Sequence, residues 1–108
     1  MTAPLKNGNE LDKALKECDK VIVLFYASWC PFSQRFLPIF EKYAAKKKSA
    51  YLRVEINDDE SLADKYDVNV YPTVLFFEGG KVSKRLDGMA GVGLSEDHLT
   101  DFIVTCRV

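Results

Sequence analysis

The sequence predicts an α/β fold: one central mixed β-sheet of four to five strands, flanked by helices on both faces. Three observations carry this. Val21 to Ala27 reads VIVLFYA, an unbroken apolar run rich in β-branched and aromatic residues, as expected of a strand buried on both faces. A helical pattern and a second strand pattern follow it directly, so that strand, helix and strand fit within 36 residues as a right-handed βαβ unit. Later, two strand patterns are joined by Gly79–Gly80, which reads as a hairpin.

Each element has its own signal. Leu11, Ala14, Leu15 and Cys18 fall at i, i+3, i+4 and i+7, one stripe of a first helix. After the buried strand, Phe36, Phe40, Tyr43 and Ala44 mark a helix that Lys46, Lys47 and Lys48 close, where cations suit the negative end of the helix dipole. Tyr51 to Ile56 is the second strand. Asn57 to Glu60 supplies acids and cap residues for a short helix through Leu62, Ala63 and Tyr66. Thr73 to Phe77 and Val82 to Leu86 form the hairpin. Ser95 caps a last helix with the stripe Leu99, Phe102, Ile103 and Cys106. No repeat, linker or low-complexity tract interrupts the order α-βαβ-α-ββ-α, so residues 1–108 read as a single domain.

Composition narrows the function classes. The chain has 108 residues, 47% hydrophobic and 29% charged, an ordinary globular balance. Fifteen Lys and Arg against sixteen Asp and Glu leave a net charge of −1, which gives nucleic-acid binding no support. There is no run of 18 apolar residues to span a membrane, and the opening MTAPLKNGNE lacks the apolar stretch of a secretory signal, so a cytoplasmic location is expected. Three cysteines are too few for a disulfide scaffold. The modest size and charge suggest a monomer.

The chemistry concentrates in Trp29-Cys30-Pro31-Phe32-Ser33, which joins the carboxyl end of the buried strand to a helix. Ligands and reactive groups gather at that edge of open α/β sheets. Cys30 falls at the N-cap and Pro31 at the first helical position, where a missing N–H costs nothing. The amides of Phe32 and Ser33 are then expected to point at the Cys30 sulfur, and with the helix dipole they favour a thiolate.

Phe25-Tyr26-Ala27-Ser28-Trp29-Cys30, Pro38 eight residues after that cysteine, Tyr71-Pro72-Thr73, Phe77-Glu78-Gly79-Gly80-Lys81 and Gly88 together resemble the thioredoxin family over nearly the whole chain, from Leu11 to Cys106. The resemblance implies a thioredoxin fold, a cis peptide bond between Tyr71 and Pro72, and a Pro72 loop that faces Cys30. Read from the residues alone, a trans proline at a strand entry is the default. A cis bond would present the backbone of Tyr71 to an extended substrate strand.

The sequence departs from the family in three places. The family's second active-site cysteine is Ser33 here. The resemblance implies that Cys30 attacks a disulfide but that nothing at position 33 can release the product by closing on it; the Ser33 hydroxyl is expected to donate to the sulfur instead. The family's buried acid, six residues before the reactive cysteine, is Leu24. The family's neighbouring Lys is Arg53, read either as a solvated strand end or as a partner of Glu55. Finally, Pro31-Phe32 is similar to the glutaredoxin branch, whose members use glutathione to resolve mixed disulfides.

The expected function is therefore thiol–disulfide exchange or isomerisation through Cys30, with Ser33 in support and Trp29, Pro31, Phe32, Tyr71, Pro72 and Met89 forming the substrate groove. The substrate is a protein or small-molecule disulfide, and no cofactor is implied beyond an external thiol or reductase, glutathione being one candidate. Two alternatives stand beside it: a non-catalytic module that binds or covalently captures partners, and a dithiol thioredoxin in which serine has replaced a cysteine at position 33. Trp29 reads equally as a contact surface or a core plug. Cys18 and Cys106 end apolar stripes and read as buried, inert thiols, though a bridge between them, or to Cys30, stays open without distances. His98 is the only histidine and no cysteine pair has close metal spacing, so no metal is expected.

Overall fold

Alternate residues of one strand build two cores. In the computed structural model, which describes residues 4–57 and 60–107, β1 spans Lys20–Ala27 and is buried from Val21 onward. Val21, Val23, Phe25 and Ala27 face one side of the sheet, and Ile22, Leu24 and Tyr26 the other. A strand buried on both faces has no polar alternation, which is why VIVLFYA is continuous.

The remaining elements wrap around it. Helix α1 (Gly8–Glu17) precedes β1, and α2 (Pro31–Ala44) follows it. Next come β2 (Tyr51–Ile56) and the short α3 (Ser61–Lys65). Strands β3 (Thr73–Glu78) and β4 (Lys81–Leu86) form the hairpin, and α4 (Glu96–Cys106) ends the fold. The sheet order is β2-β1-β3-β4. Strand β1 runs parallel to β2 and antiparallel to β3, and β3 is antiparallel to β4. Leu11 and Leu15 of α1 and Leu62 and Ala63 of α3 cover one face; Phe36 and Phe40 of α2 and Leu99 and Phe102 of α4 cover the other. Among the described residues the sheet has four strands, joined at the β2 edge by a single parallel bridge. Leu5 pairs with Val54, its N–H donating to Arg53 O at 2.9 Å and its carbonyl accepting from Glu55 N at 3.0 Å.

The ends of the helices follow their cap residues. Asn7 Oδ1 accepts the Glu10 amide at 2.9 Å to open α1. Ser95 opens α4 through a capping box in which its hydroxyl oxygen accepts the His98 amide and His98 Nδ1 accepts the Ser95 amide. The histidine is thus engaged in a cap, and no group of His, Cys, Asp and Glu side chains among the described residues could hold a metal ion. Glu60 precedes α3 without a side-chain cap bond; of the residues expected to supply acids there, Asp58 and Asp59 lie outside the described residues. No helix among the described residues is long and apolar enough to cross a membrane.

Arg53 corrects both readings of that position. It is only 8% exposed, and its guanidinium Nε lies 3.2 Å from Glu41 Oε1 of α2 rather than on Glu55. Glu55 is occupied elsewhere, accepting the Tyr26 hydroxyl at 3.2 Å and the Asn57 amide at 3.2 Å. Arg53 and Glu55 sit two apart on β2, but α2 lies over that face and brings Glu41 to the guanidinium first. A charge this buried must be paired, because an uncompensated one costs several kcal/mol. Replacing one partner, as in Glu41→Gln, is expected to lower stability to urea unfolding by about 2–3 kcal/mol, and the double variant Arg53→Met/Glu41→Leu to recover at least half of it. A Glu41→Gln protein as stable as the parent would show that the pair contributes nothing.

Candidate active site

The antiparallel pairing of β1 and β3 places Cys30. Phe25 pairs with Thr73, so the carboxyl end of β1 lies beside the start of β3. The chain leaves β1 at Ala27, turns through Ser28 and Trp29, and begins α2 at Pro31, with Cys30 as the N-cap. On the neighbouring strand, Tyr71 and Pro72 lead into β3, and the peptide bond between them is cis. The two segments meet where the Cys30 thiol donates to the Tyr71 carbonyl at 3.7 Å. Cys30 is 9% exposed.

Two expected contacts to that sulfur are absent. The amides of Phe32 and Ser33 make no cap hydrogen bond to it, because the side chain turns across the groove to Tyr71 instead. The Ser33 hydroxyl does not donate to it either. Ser33 is fully buried, and its Oγ accepts the Ala27 amide at 3.1 Å. The Cys30 amide in turn donates to the Ala27 carbonyl at 3.1 Å. Ala27 is thus held at both backbone groups, and Ser33 acts on Cys30 by fixing the turn that carries it.

Six side chains are expected to form the substrate groove. Trp29 is 61% exposed, which excludes a core plug, and its ring meets Tyr71 edge-on at 6.1 Å. Pro31 is exposed, Phe32 half-buried and Pro72 buried. Met89 is 44% exposed and is tied to Gly93 by two backbone hydrogen bonds. Phe32 lies against Gly93, where a Cβ would stand 3.0 Å from the Phe32 Cβ.

Several contributors carry no short motif. The Tyr71 hydroxyl donates to Glu60 Oε1 at 2.9 Å. Burial, and then that carboxylate, push the Tyr71 phenol above its usual range, so it stays a donor at neutral pH. The Arg35 guanidinium lies 5.7 Å from the Phe32 ring centre. Gln34 donates to the Ser28 carbonyl at 2.7 Å, a second brace on the turn. Thr73 Oγ1 donates to the Val70 carbonyl at 2.6 Å and accepts the Gly88 amide at 3.1 Å. The Tyr71–Glu60 and Thr73–Gly88 contacts cross between elements, and only the joint presence of Pro72-Thr73 and Gly88 hints at the second.

The other two thiols lie away from this groove. All three cysteines are free. Cys18 precedes β1 and Cys30 follows it, so an eight-residue strand, about 26 Å long, separates them. Cys18 is half-buried and donates to the Ser49 carbonyl at 3.4 Å. Cys106 ends α4, where the charges of Lys84 and Glu78 reach it, and Glu78 pairs with Lys20 at the start of β1. Burial pushes the Cys106 thiol up, which keeps it protonated near neutral pH.

Gly88 holds the Pro72 loop in place by having no side chain. A Cβ there would stand 2.2 Å from the Pro72 carbonyl oxygen, a backbone atom with no freedom to swing away. Gly88→Ala is expected to cost about 1–3 kcal/mol in urea unfolding and to change the alkylation rate of Cys30 as the loop moves. An alanine variant with unchanged stability and unchanged alkylation would contradict this placement.

Comparison with known proteins agrees with the geometry. The family model described as thioredoxin matches residues 3–105. A thioredoxin of Mycoplasmoides gallisepticum is 35% identical over 85 residues, covering 78% of this chain and 85% of that protein. Thioredoxin-2 of Saccharomyces cerevisiae is 33% identical over 90 residues, covering 82% and 86%. Among solved structures, a mutant thioredoxin from Halobacterium salinarum superposes with a TM-score of 0.76 at 28% identity, covering 97% of this chain and 91% of that one. A reduced thioredoxin from Schistosoma mansoni, 24% identical, shares the fold with a TM-score of 0.79 over 95% of each chain. With a cysteine at the head of α2 facing a Tyr-Pro-Thr loop on the neighbouring strand, and with this likeness along nearly its whole length, the chain belongs to the thioredoxin family.

Proposed function

We propose that this protein is a disulfide oxidoreductase that works through Cys30 alone and takes a second thiol from outside to finish each cycle. The observation that carries the reading is the pair of neighbours at the head of α2. Cys30 reaches the groove, while the position three residues on holds a buried hydroxyl already engaged by the Ala27 amide. A hydroxyl forms no disulfide, and Cys18 and Cys106 lie towards the opposite end of the sheet.

The cycle balances as two exchanges. The Cys30 thiol loses its proton to solvent and the thiolate attacks one sulfur of a substrate disulfide. A Cys30–substrate disulfide forms, and the other substrate sulfur leaves with the bonding electron pair. An external thiolate, or the substrate's own second thiol, then attacks the mixed disulfide and Cys30 leaves as a thiolate. With one external thiol the half of the substrate held on Cys30 passes to that thiol as a disulfide, which is deglutathionylation when that half is glutathione; a protein disulfide is reduced once a second external thiol attacks the resulting mixed disulfide, and with the substrate's own thiol the result is isomerisation. Trp29, Pro31, Phe32, Tyr71, Pro72 and Met89 form the surface on which the substrate lies. A reducing compartment such as the cytoplasm supplies the second thiol, and a monomer suffices because one chain holds the whole groove.

The test is turnover of a glutathionylated peptide with excess glutathione, compared with the Cys30→Ser variant. Multiple turnovers that vanish in the variant are expected. No turnover above the variant, with a stalled adduct on Cys30 by intact mass, would identify a capture module instead.

A further inference from the structure

We propose that the groove around Cys30 is electrically polarised and favours an extended segment with an acidic residue on the Phe32 side of its cysteine and a basic residue on the Trp29 side. This rests on Cys30 being the nucleophile. The groove offers apolar contact on both sides of the sulfur, with Trp29 on one flank and Met89 and Val92 on the other, all exposed. Apolar surface of this kind holds a chain without choosing among sequences; the charges on its two flanks differ in sign.

On the Phe32 flank the charge is positive. Arg35 lies on the exposed side of α2, just beyond the first turn, its guanidinium 5.7 Å from the Phe32 ring centre. No carboxylate pairs with it among the described residues. The ring steadies the guanidinium without neutralising it. On the Trp29 flank the charge is negative. Trp29 packs edge-on to Tyr71, and the Tyr71 hydroxyl holds the Glu60 carboxylate at 2.9 Å. Asp64, one turn further along α3, adds its field at the same tyrosine. The Glu60 carboxylate is therefore anchored at the rim, and orienting it on binding costs little side-chain entropy.

Solvent-exposed charges of this kind contribute modestly each, so the two together are expected to alter attack rates by about three- to five-fold. The test uses short peptides whose single cysteine carries thionitrobenzoate in a mixed disulfide. The Cys30 thiolate attacks the peptide sulfur, and thionitrobenzoate leaves with the electron pair as a coloured thiolate that is counted directly. The peptides carry Glu before and Lys after the cysteine, the reverse order, or neutral residues at both positions. One of the two charged orders is expected to react about three- to five-fold faster than the neutral peptide and than its reverse. That preference should fade in about 1 M salt and vanish in the double variant Arg35→Gln/Glu60→Gln, whose new amide oxygen at position 60 still offers the Tyr71 hydroxyl an acceptor. Equal rates for all peptides, or a preference that survives the double variant, would overturn the polarity while leaving Cys30 as the nucleophile. Release no faster than from Cys30→Ser for every peptide would overturn the nucleophile, and the polarity with it.

Discussion

The contact between the Cys30 thiol and the Tyr71 carbonyl is where every layer of the structure converges. It exists because β1 and β3 are antiparallel neighbours, so that the end of one lies beside the start of the other. That adjacency depends in turn on the buried register of β1, whose side chains feed both cores. A slip of one residue would exchange the two faces of β1 and move every apolar side chain to the wrong core. The position of one sulfur is thus specified by hydrophobic packing along the whole strand, and the groove inherits its rigidity from the sheet.

Local bonds refine what the sheet sets. Ser33 and the Cys30 amide grip the two backbone groups of Ala27, and Gln34 braces Ser28, so the short turn between β1 and α2 has little freedom. Thr73 and Gly88 do the same for the facing loop. The buried charge beside β1 is balanced from a helix. Leu24 is fully buried and in register with Arg53, and Arg53 finds its counter-charge on α2 at Glu41. No carboxylate is needed at position 24 to balance the cation, and a second one in the core would have to be neutralised or paired at a cost of several kcal/mol.

The fold was legible because its elements carry strong local patterns. The VIVLFYA run, the bounds of β2 at Tyr51 and Ile56, the Gly79–Gly80 turn and the Ser95 cap are all visible in short windows. So were Cys30 and the Tyr71-Pro72-Thr73 loop, since each sits at a junction between elements. What sequence could not show was which atom each polar group meets. Glu41 and Glu55 are equally plausible partners for Arg53 until the position of α2 is known. The Ser33 hydroxyl oxygen accepts the Ala27 amide, a bond six residues back along the chain that exists only because the buried turn folds α2 onto the end of β1. Glu60 is an ordinary charged residue in the chain, and only tertiary structure puts it on Tyr71; Arg35 meets Phe32 as an i, i+3 neighbour on α2, a pairing that is visible once the helix is placed. The bridge at Leu5 is one residue long, too short to leave a periodic signal.

The central claim is that Cys30, once it has formed a mixed disulfide, has no partner within its own chain. The direct measurement is the lifetime of a glutathione adduct on Cys30 after all free thiol is removed, followed by intact mass. The adduct is expected to persist in the protein as it stands, and to be released by Ser33→Cys, which supplies a thiol three residues away. Spontaneous loss of glutathione from the unaltered protein, with Cys18 or Cys106 recovered in a disulfide, would contradict the account.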